Sequence, residues 1–159
     1  MRIVRYLLLI LLVLLLLPYL AAPFYRAGHP VSTLMAWRWL KGAPVSRQWV
    51  DLNAMSPSLP RTVVASEDGK FCSHRGVDWG ALREVMDDAE DGEVVRGGST
   101  ITQQVAKYLL KDSSYNVGRK IREAILAFRL ESTLSKEQIL DLYLNALGMT
   151  PTEEEAKAA

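Results

Sequence analysis

An acidic pair, Glu67-Asp68, precedes the stretch Gly97-Gly98-Ser99-Thr100-Ile101-Thr102-Gln103-Gln104. A glycine pair lets the main chain approach a ligand with no Cβ in the way. Ser99 or Thr100 is the residue type that caps a helix start, and the exposed N–H groups of such a start favour an anion such as phosphate. Further on stand Arg119-Lys120 and, four residues after Arg119 on the same helical face, Glu123. Arginine grips phosphate through two parallel donors and lysine as a point charge. Lys107 lies one helical turn beyond Gln103 and within reach of the same anion. Glu67 has the chemistry of a general base, able to take a proton from an attacking hydroxyl. The pattern therefore points to chemistry on a phosphorylated substrate. Arg119 and Lys120 would face a diphosphate, with Glu123 orienting them or facing the acceptor. The plainer alternatives are a solvated glutamate and a helix-surface ion pair contributing about 0.3–0.5 kcal/mol.

Several helices must position these residues. Ser32 opens a short one through Leu34, Met35, Trp37, Trp39 and Leu40, ending near Gly42. Pro44 to Pro60 reads as an irregular connector broken by Pro44, Pro57 and Pro60, and Arg61–Ser66 as an extended stretch or a helix turn. Asp78 caps a helix over roughly Trp79–Asp88, with Ala81, Leu82, Val85 and Met86 on one face. The acidic segment Asp87–Glu93 reads as a solvated helix end and loop, with metal binding a minor alternative. A further helix spans Thr100 to about Leu110. Another covers Val117–Leu134, with Ile121, Ala124, Ile125 and Phe128 as its apolar face. The last starts at Ser135, where Ser135 and Gln138 match a capping box, and buries Ile139, Leu142 and Tyr143. No strand pattern is strong, so the class is mainly α.

The N-terminal part sets the compartment. No residue from Tyr6 to Tyr25 is charged, and leucine dominates Leu7–Leu17. At ~1.5 Å per residue, ~20 apolar residues span a ~30 Å hydrocarbon core. The run is longer than a signal-peptide core, and cleavage after Ala22 would set Leu20 at an unsuitable position, which favours an uncleaved anchor. Arg2 and Arg5 hold the N-terminus in the cytoplasm, and Pro18 and Pro23 fray or kink the end of the span. Trp37 and Trp39, flanked by Arg38 and Lys41, suit either a headgroup interface or core packing. A net charge of +1 gives no reason to expect nucleic acid. The single cysteine, Cys72, excludes an intramolecular disulfide and reads as a small packed side chain.

Taken together, the chain resembles the peptidoglycan glycosyltransferases of glycosyltransferase family 51, especially the membrane-anchored monofunctional enzymes. The first family motif, Glu-Asp-x-x-Phe-x-x-His-x-Gly, is matched by Glu67, Asp68, Phe71, His74 and Gly76. The second is Gly97–Gln104, with Lys107 three residues on. The third, Arg-Lys-x-x-Glu, is Arg119, Lys120 and Glu123. The fourth is Lys136, Ile139, Leu140, Tyr143, Leu144 and Asn145. The resemblance implies a lysozyme-like, mainly α domain that polymerises lipid II. Glu67 and Glu123 would be its catalytic carboxylates. Asp68, Phe71, His74, Ser99, Thr100, Gln103, Gln104, Lys107, Arg119 and Lys120 would bind substrate. It implies lipid II and the nascent glycan strand as substrates, the inner membrane as location, and cell-wall synthesis or division proteins as partners. No cofactor is required, and a divalent cation (Mg2+ or Mn2+) is an optional aid to the leaving diphosphate.

The expected organisation is a cytoplasmic terminus over 1–5, an anchor over 6–25, a juxtamembrane helix and connector over 26–60, the glycosyltransferase domain over 61–147 and a polar tail over 148–159. Two departures from the family pattern stand out. Tyr115 occupies the position of an arginine that usually precedes the Arg-Lys pair, and the family domain ordinarily continues well past the Tyr-Leu-Asn motif, so the chain is expected to be C-terminally truncated. Two rival readings share parts of the pattern: a membrane-anchored remnant that binds lipid II without turnover, and a lytic, lysozyme-like hydrolase. Two carboxylates on an α fold suit the hydrolase, but neutral glycan gives no reason for a diphosphate site.

Overall fold

The computed structural model describes residues 2–29, 33–43, 49–90, 98–110 and 116–146. Gly97, Ser32, Tyr115 and the polar tail lie outside them. Seven α-helices appear among the described residues: α1 (Arg2–Ala21), α2 (Thr33–Leu40), α3 (Ser58–Glu67), α4 (Trp79–Glu90), α5 (Ile101–Leu110), α6 (Val117–Thr133) and α7 (Lys136–Ala146). Short 3-10 turns occupy Ala22–Arg26 and Leu52–Ala54. The only extended pairing among these residues is an isolated bridge between Arg75 and Val77, so the mainly α class holds.

One helical stretch, Ile3–Arg26, is long and apolar enough to cross a membrane. Its side chains are exposed along nearly the whole of α1. Pro18 sits inside α1, and Pro23 opens the 3-10 turn that follows. That turn packs on α6, where the Arg129 side chain donates to the Tyr19 carbonyl at 3.4 Å. In α2, Trp37 and Trp39 are 55% and 53% exposed, and the Lys41 ammonium lies 4.6 Å from the Trp37 ring centre. Core packing therefore does not account for them.

The core is built on α5, which packs against both α6 and α7. Ile101, Val105 and Leu109 meet Leu126 and Leu130 of α6 and Ile139, Tyr143 and Leu144 of α7, with Phe71 filling the space beside them. Two of the predicted caps are present. Asp78 Oδ1 accepts from the N–H groups of Gly80 and Ala81 at 2.9 and 3.0 Å. Ser135 and Gln138 exchange both bonds of a capping box.

Three expectations are corrected. Arg61–Ser66 is neither extended nor a single turn. It lies within α3, which starts at Ser58 inside the expected connector, because Pro60 falls in the first turn, where its missing N–H leaves no bond unmade. The apolar face chosen for α6 points outward. Ile121, Ile125 and Phe128 are exposed, and the buried residues are Arg119, Glu123, Leu126, Ala127 and Leu130. Phe128 lies instead beside the exposed Trp79, ring centres 6.3 Å apart. Cys72, expected to be packed, is exposed.

Candidate functional site

Glu67 ends α3, and the chain then turns sharply through Asp68–Gly76 to reach α4. The turn is held from several sides. The buried Asp68 carboxylate accepts the Ile101 N–H at 3.0 Å and lies 2.9 Å from His74 Nε2. The ammonium of Lys136 donates to the His74 carbonyl at 2.8 Å and sits over the Phe71 ring. At Gly76, φ is +88° and a Cβ would come within 3.0 Å of the Ala127 backbone. Only glycine fits both that backbone and that approach.

The start of α5 is similarly locked. Thr100 Oγ1 accepts the Gln103 N–H at 3.1 Å, and Gln103 Oε1 accepts the Thr100 N–H at 3.0 Å, a reciprocal capping box. The same threonine hydroxyl donates to the Gly76 carbonyl at 2.6 Å. Sequence reading found the helix start but not this box, although the Thr-x-x-Gln spacing carries its signal.

Two walls of a cleft of about 290 Å³ result, lined by Glu67, Lys70, Asp78, Glu84, Gly98 and Ser99 among others. Glu67 is exposed at one side, where Gln104 Nε2 donates to its Oε2 at 3.0 Å. Ser99 lies at the other, and Lys120 Nζ donates to its hydroxyl at 3.0 Å. The Lys120 side chain is 49% exposed and also lies 3.3 Å from Glu123. Beneath it, Arg119 and Glu123 form a tight ion pair with side chains 7% and 1% exposed. The plainer alternative, an ion pair on the helix surface, does not hold: the pair is buried, and the Glu123 carboxylate holds two cations at once.

Of the residues singled out in the sequence, Glu67, Ser99, Gln104 and Lys120 come together around the cleft. Asp68, Phe71, His74, Thr100 and Gln103 lie around its base; Asp68, Thr100 and Gln103 tie the turn to the start of α5, and His74 Nε2 braces Asp68 while its Nδ1 is buried without a partner among the described residues. Lys107 is exposed on the last turn of α5. Lys70 and Glu84 line the cleft without having been anticipated; Lys70 lies 3.9 Å from Asp78. The Ala81 N–H, with help from Lys70 and the Gly80 N–H, holds the Asp78 carboxyl below its usual range against the effect of burial. Among the described residues, no group of three or more His, Cys, Asp or Glu side chains could hold a metal ion. Among the described residues, Lys70 lines the cleft and Lys120 reaches it through Ser99.

A family model described as transglycosylase matches residues 33–159. The chain is similar to curated proteins named biosynthetic peptidoglycan transglycosylase. One from Nitrobacter winogradskyi is 63% identical over 138 residues, covering 87% of this chain and 61% of that protein. One from Rhodopseudomonas palustris strain HaA2 is 59% identical over 151 residues, covering 94% and 66%. One from Brucella suis biovar 1 is 47% identical over 142 residues, covering 89% and 62%. The chain thus spans just under two thirds of the length of these relatives.

Proposed function

This chain belongs to the transglycosylase family, and we propose that it polymerises peptidoglycan glycan strands from lipid II at the outer face of the inner membrane. Glu67 takes the proton from the 4-hydroxyl of the acceptor N-acetylglucosamine. That oxygen forms a bond to C1 of the donor N-acetylmuramic acid as the bond from C1 to the diphosphate breaks. Undecaprenyl diphosphate leaves with the bonding electrons, and the α-linked donor becomes a β-1,4 link. Charge grows on the diphosphate as the bond lengthens, so cations fixed in advance stabilise the transition state more than the ground state. Lys120 meets that charge directly, Arg119 backs it, and Lys107, exposed on the last turn of α5, adds positive charge for the approaching anion.

The observation that carries the reading is the pairing of roles across one cleft. An exposed carboxylate stands on one side and a lysine held by Ser99 and Glu123 on the other. A lytic hydrolase has no use for that lysine. The apolar Ile3–Arg26 stretch supports a single-pass anchor with the catalytic domain in the periplasm. A tethered enzyme then searches a surface, where its substrate's lipid tail resides. Trp37 and Trp39 seat at the headgroups.

The test is lipid II polymerisation by the detergent-purified chain beside its Glu67→Gln variant. Glycan from the wild type alone supports the reading. If neither folded protein makes glycan, the reading fails in favour of a lipid II-binding protein without turnover. Muropeptide release from finished glycan would favour the hydrolase.

A further inference from the structure

Glu67 stands at the exposed C-terminal end of α3, where a glutamate with three rotatable bonds has no packing to define its direction. A general base has to point at the proton it takes, so something must aim it. Gln104 Nε2 donates to Glu67 Oε2 at 3.0 Å. At the other end of that amide, the Tyr143 hydroxyl donates to Gln104 Oε1 at 3.3 Å.

The polarity of this chain of bonds is fixed at both ends. An ionised carboxylate only accepts, so the amide must turn its NH2 toward Glu67. Its carbonyl oxygen is then left to receive the tyrosine proton, and bonds linked in series polarise one another. Tyr143 is the one member with no freedom. Among the described residues it is the largest fully buried side chain, 1% exposed, and is held in α7 among core residues. The anchor of the relay is thus a core side chain whose single polar atom is spent at the rim of the cleft.

We infer that Tyr143 is a positioning residue for the reaction: its hydroxyl, acting through Gln104, fixes the direction of the Glu67 carboxylate. This rests on Glu67 being the base. The phenol reports the same proximity: burial first, then the nearby charge of Glu67, push its pKa up to about 12.

Tyr143→Phe removes one oxygen and keeps the ring. On the detergent-solubilised full chain, it is expected to lower kcat about tenfold while KM for lipid II changes less than about twofold, with Tm within about 5 °C of wild type. Unchanged kcat, or a rise in KM alone, overturns the proposal. Should Tm fall further, Gln104→Met cuts the same link from the half-exposed side and is judged by the same split. A second readout needs no turnover. In protein labelled at tyrosine Cζ, the Tyr143 carbon is expected to stay un-ionised to higher pH in wild type than in Glu67→Gln. An identical titration in the two proteins shows no coupling and overturns the proposal. Retained polymerisation by Glu67→Gln removes Glu67 as base, and so defeats the proposed function on separate grounds.

Discussion

The carboxylate of Asp68 accepts the backbone N–H of Ile101 at 3.0 Å, joining the residue after Glu67 to the first turn of α5. One buried side chain thereby sets the distance between the candidate base and the helix that carries Gln104. The same carboxylate is held by His74 at 2.9 Å, so the link is braced from inside the turn. Asp68→Ala leaves the Ile101 N–H buried without its acceptor and the His74 ring without its partner. The expected cost is about 2–3 kcal/mol of stability, measured by urea unfolding. Polymerisation should fall by more than the unfolded fraction explains, because Glu67 loses its register to Gln104. A variant that is destabilised yet fully active when folded would show that the link serves the fold alone.

Gly76 and Gly42 both have positive φ, +88° and +67°, but a Cβ at Gly42 would meet open space, whereas one at Gly76 would come 3.0 Å from the Ala127 carbonyl carbon. Gly42→Ala should cost about 1 kcal/mol, the ordinary strain of a left-handed alanine. Gly76→Ala adds a clash that α6 can relieve only by moving, so roughly 2–4 kcal/mol is expected. Equal thermal shifts for the two variants would mean that the turn does not press on α6 as closely as described.

The two faces of α6 show what sequence periodicity can and cannot decide. Val117, Ile121, Ile125 and Phe128 recur at helical spacing, and so do Leu126 and Leu130. Hydrophobicity alone favours the first stripe, since the second shares its face with Arg119 and Glu123. The second is nevertheless the buried one, because the two charges neutralise each other as they enter. Local signals fared better: the Asp78 cap and the Ser135–Gln138 box need only neighbours in sequence, and both are present. The four motifs made Glu67, Ser99, Gln104 and Lys120 legible as a set, though not Lys70 and Glu84, which also line the cleft. What they did not reveal is which of them are exposed and which brace from below, because that depends on α5 meeting α6 and α7. Leu126→Ala should therefore cost about 2–5 kcal/mol, and Ile121→Ser within about 0.5 kcal/mol. Comparable losses in chemical unfolding would reverse the assignment of faces.

Asp141 gives a pH dependence of defined sign. Burial, the largest influence, together with the nearby Asp51 charge, raises its pKa above the ordinary 3.8, against opposing effects from Trp49, Leu52 and His29. A folded pKa above the unfolded value means that the native state binds the proton more tightly. Stability from this group is therefore complete below the unfolded pKa and is lost as pH rises through the folded one. Asp141→Asn keeps the shape and removes the titration. Its stability relative to wild type should increase from pH 4 to pH 7 in paired denaturant curves. A constant or shrinking difference would place the carboxyl in a wetter setting than the groove beside Trp49.

Lys120 and Glu123 touch each other but should fail differently when removed. Lys120 is half exposed and bonded to Ser99, so Lys120→Ala removes little that holds the fold. If the lysine meets charge on a departing diphosphate, kcat/KM for lipid II should fall about 10²–10³-fold with Tm nearly unchanged. Glu123 is buried against Arg119 and Lys120, and Glu123→Ala would remove the buried carboxylate that pairs with both cations. A loss of about 3–5 kcal/mol is the expected scale for that, so its activity would vanish through folding. Glu123→Gln keeps the volume and one acceptor oxygen while removing the charge, and separates the two effects. If that variant folds and still loses turnover, the carboxylate charge acts through the cations it holds. If it folds and turns over normally, Glu123 is a structural partner of Arg119, and the diphosphate is met by Lys120 without its help.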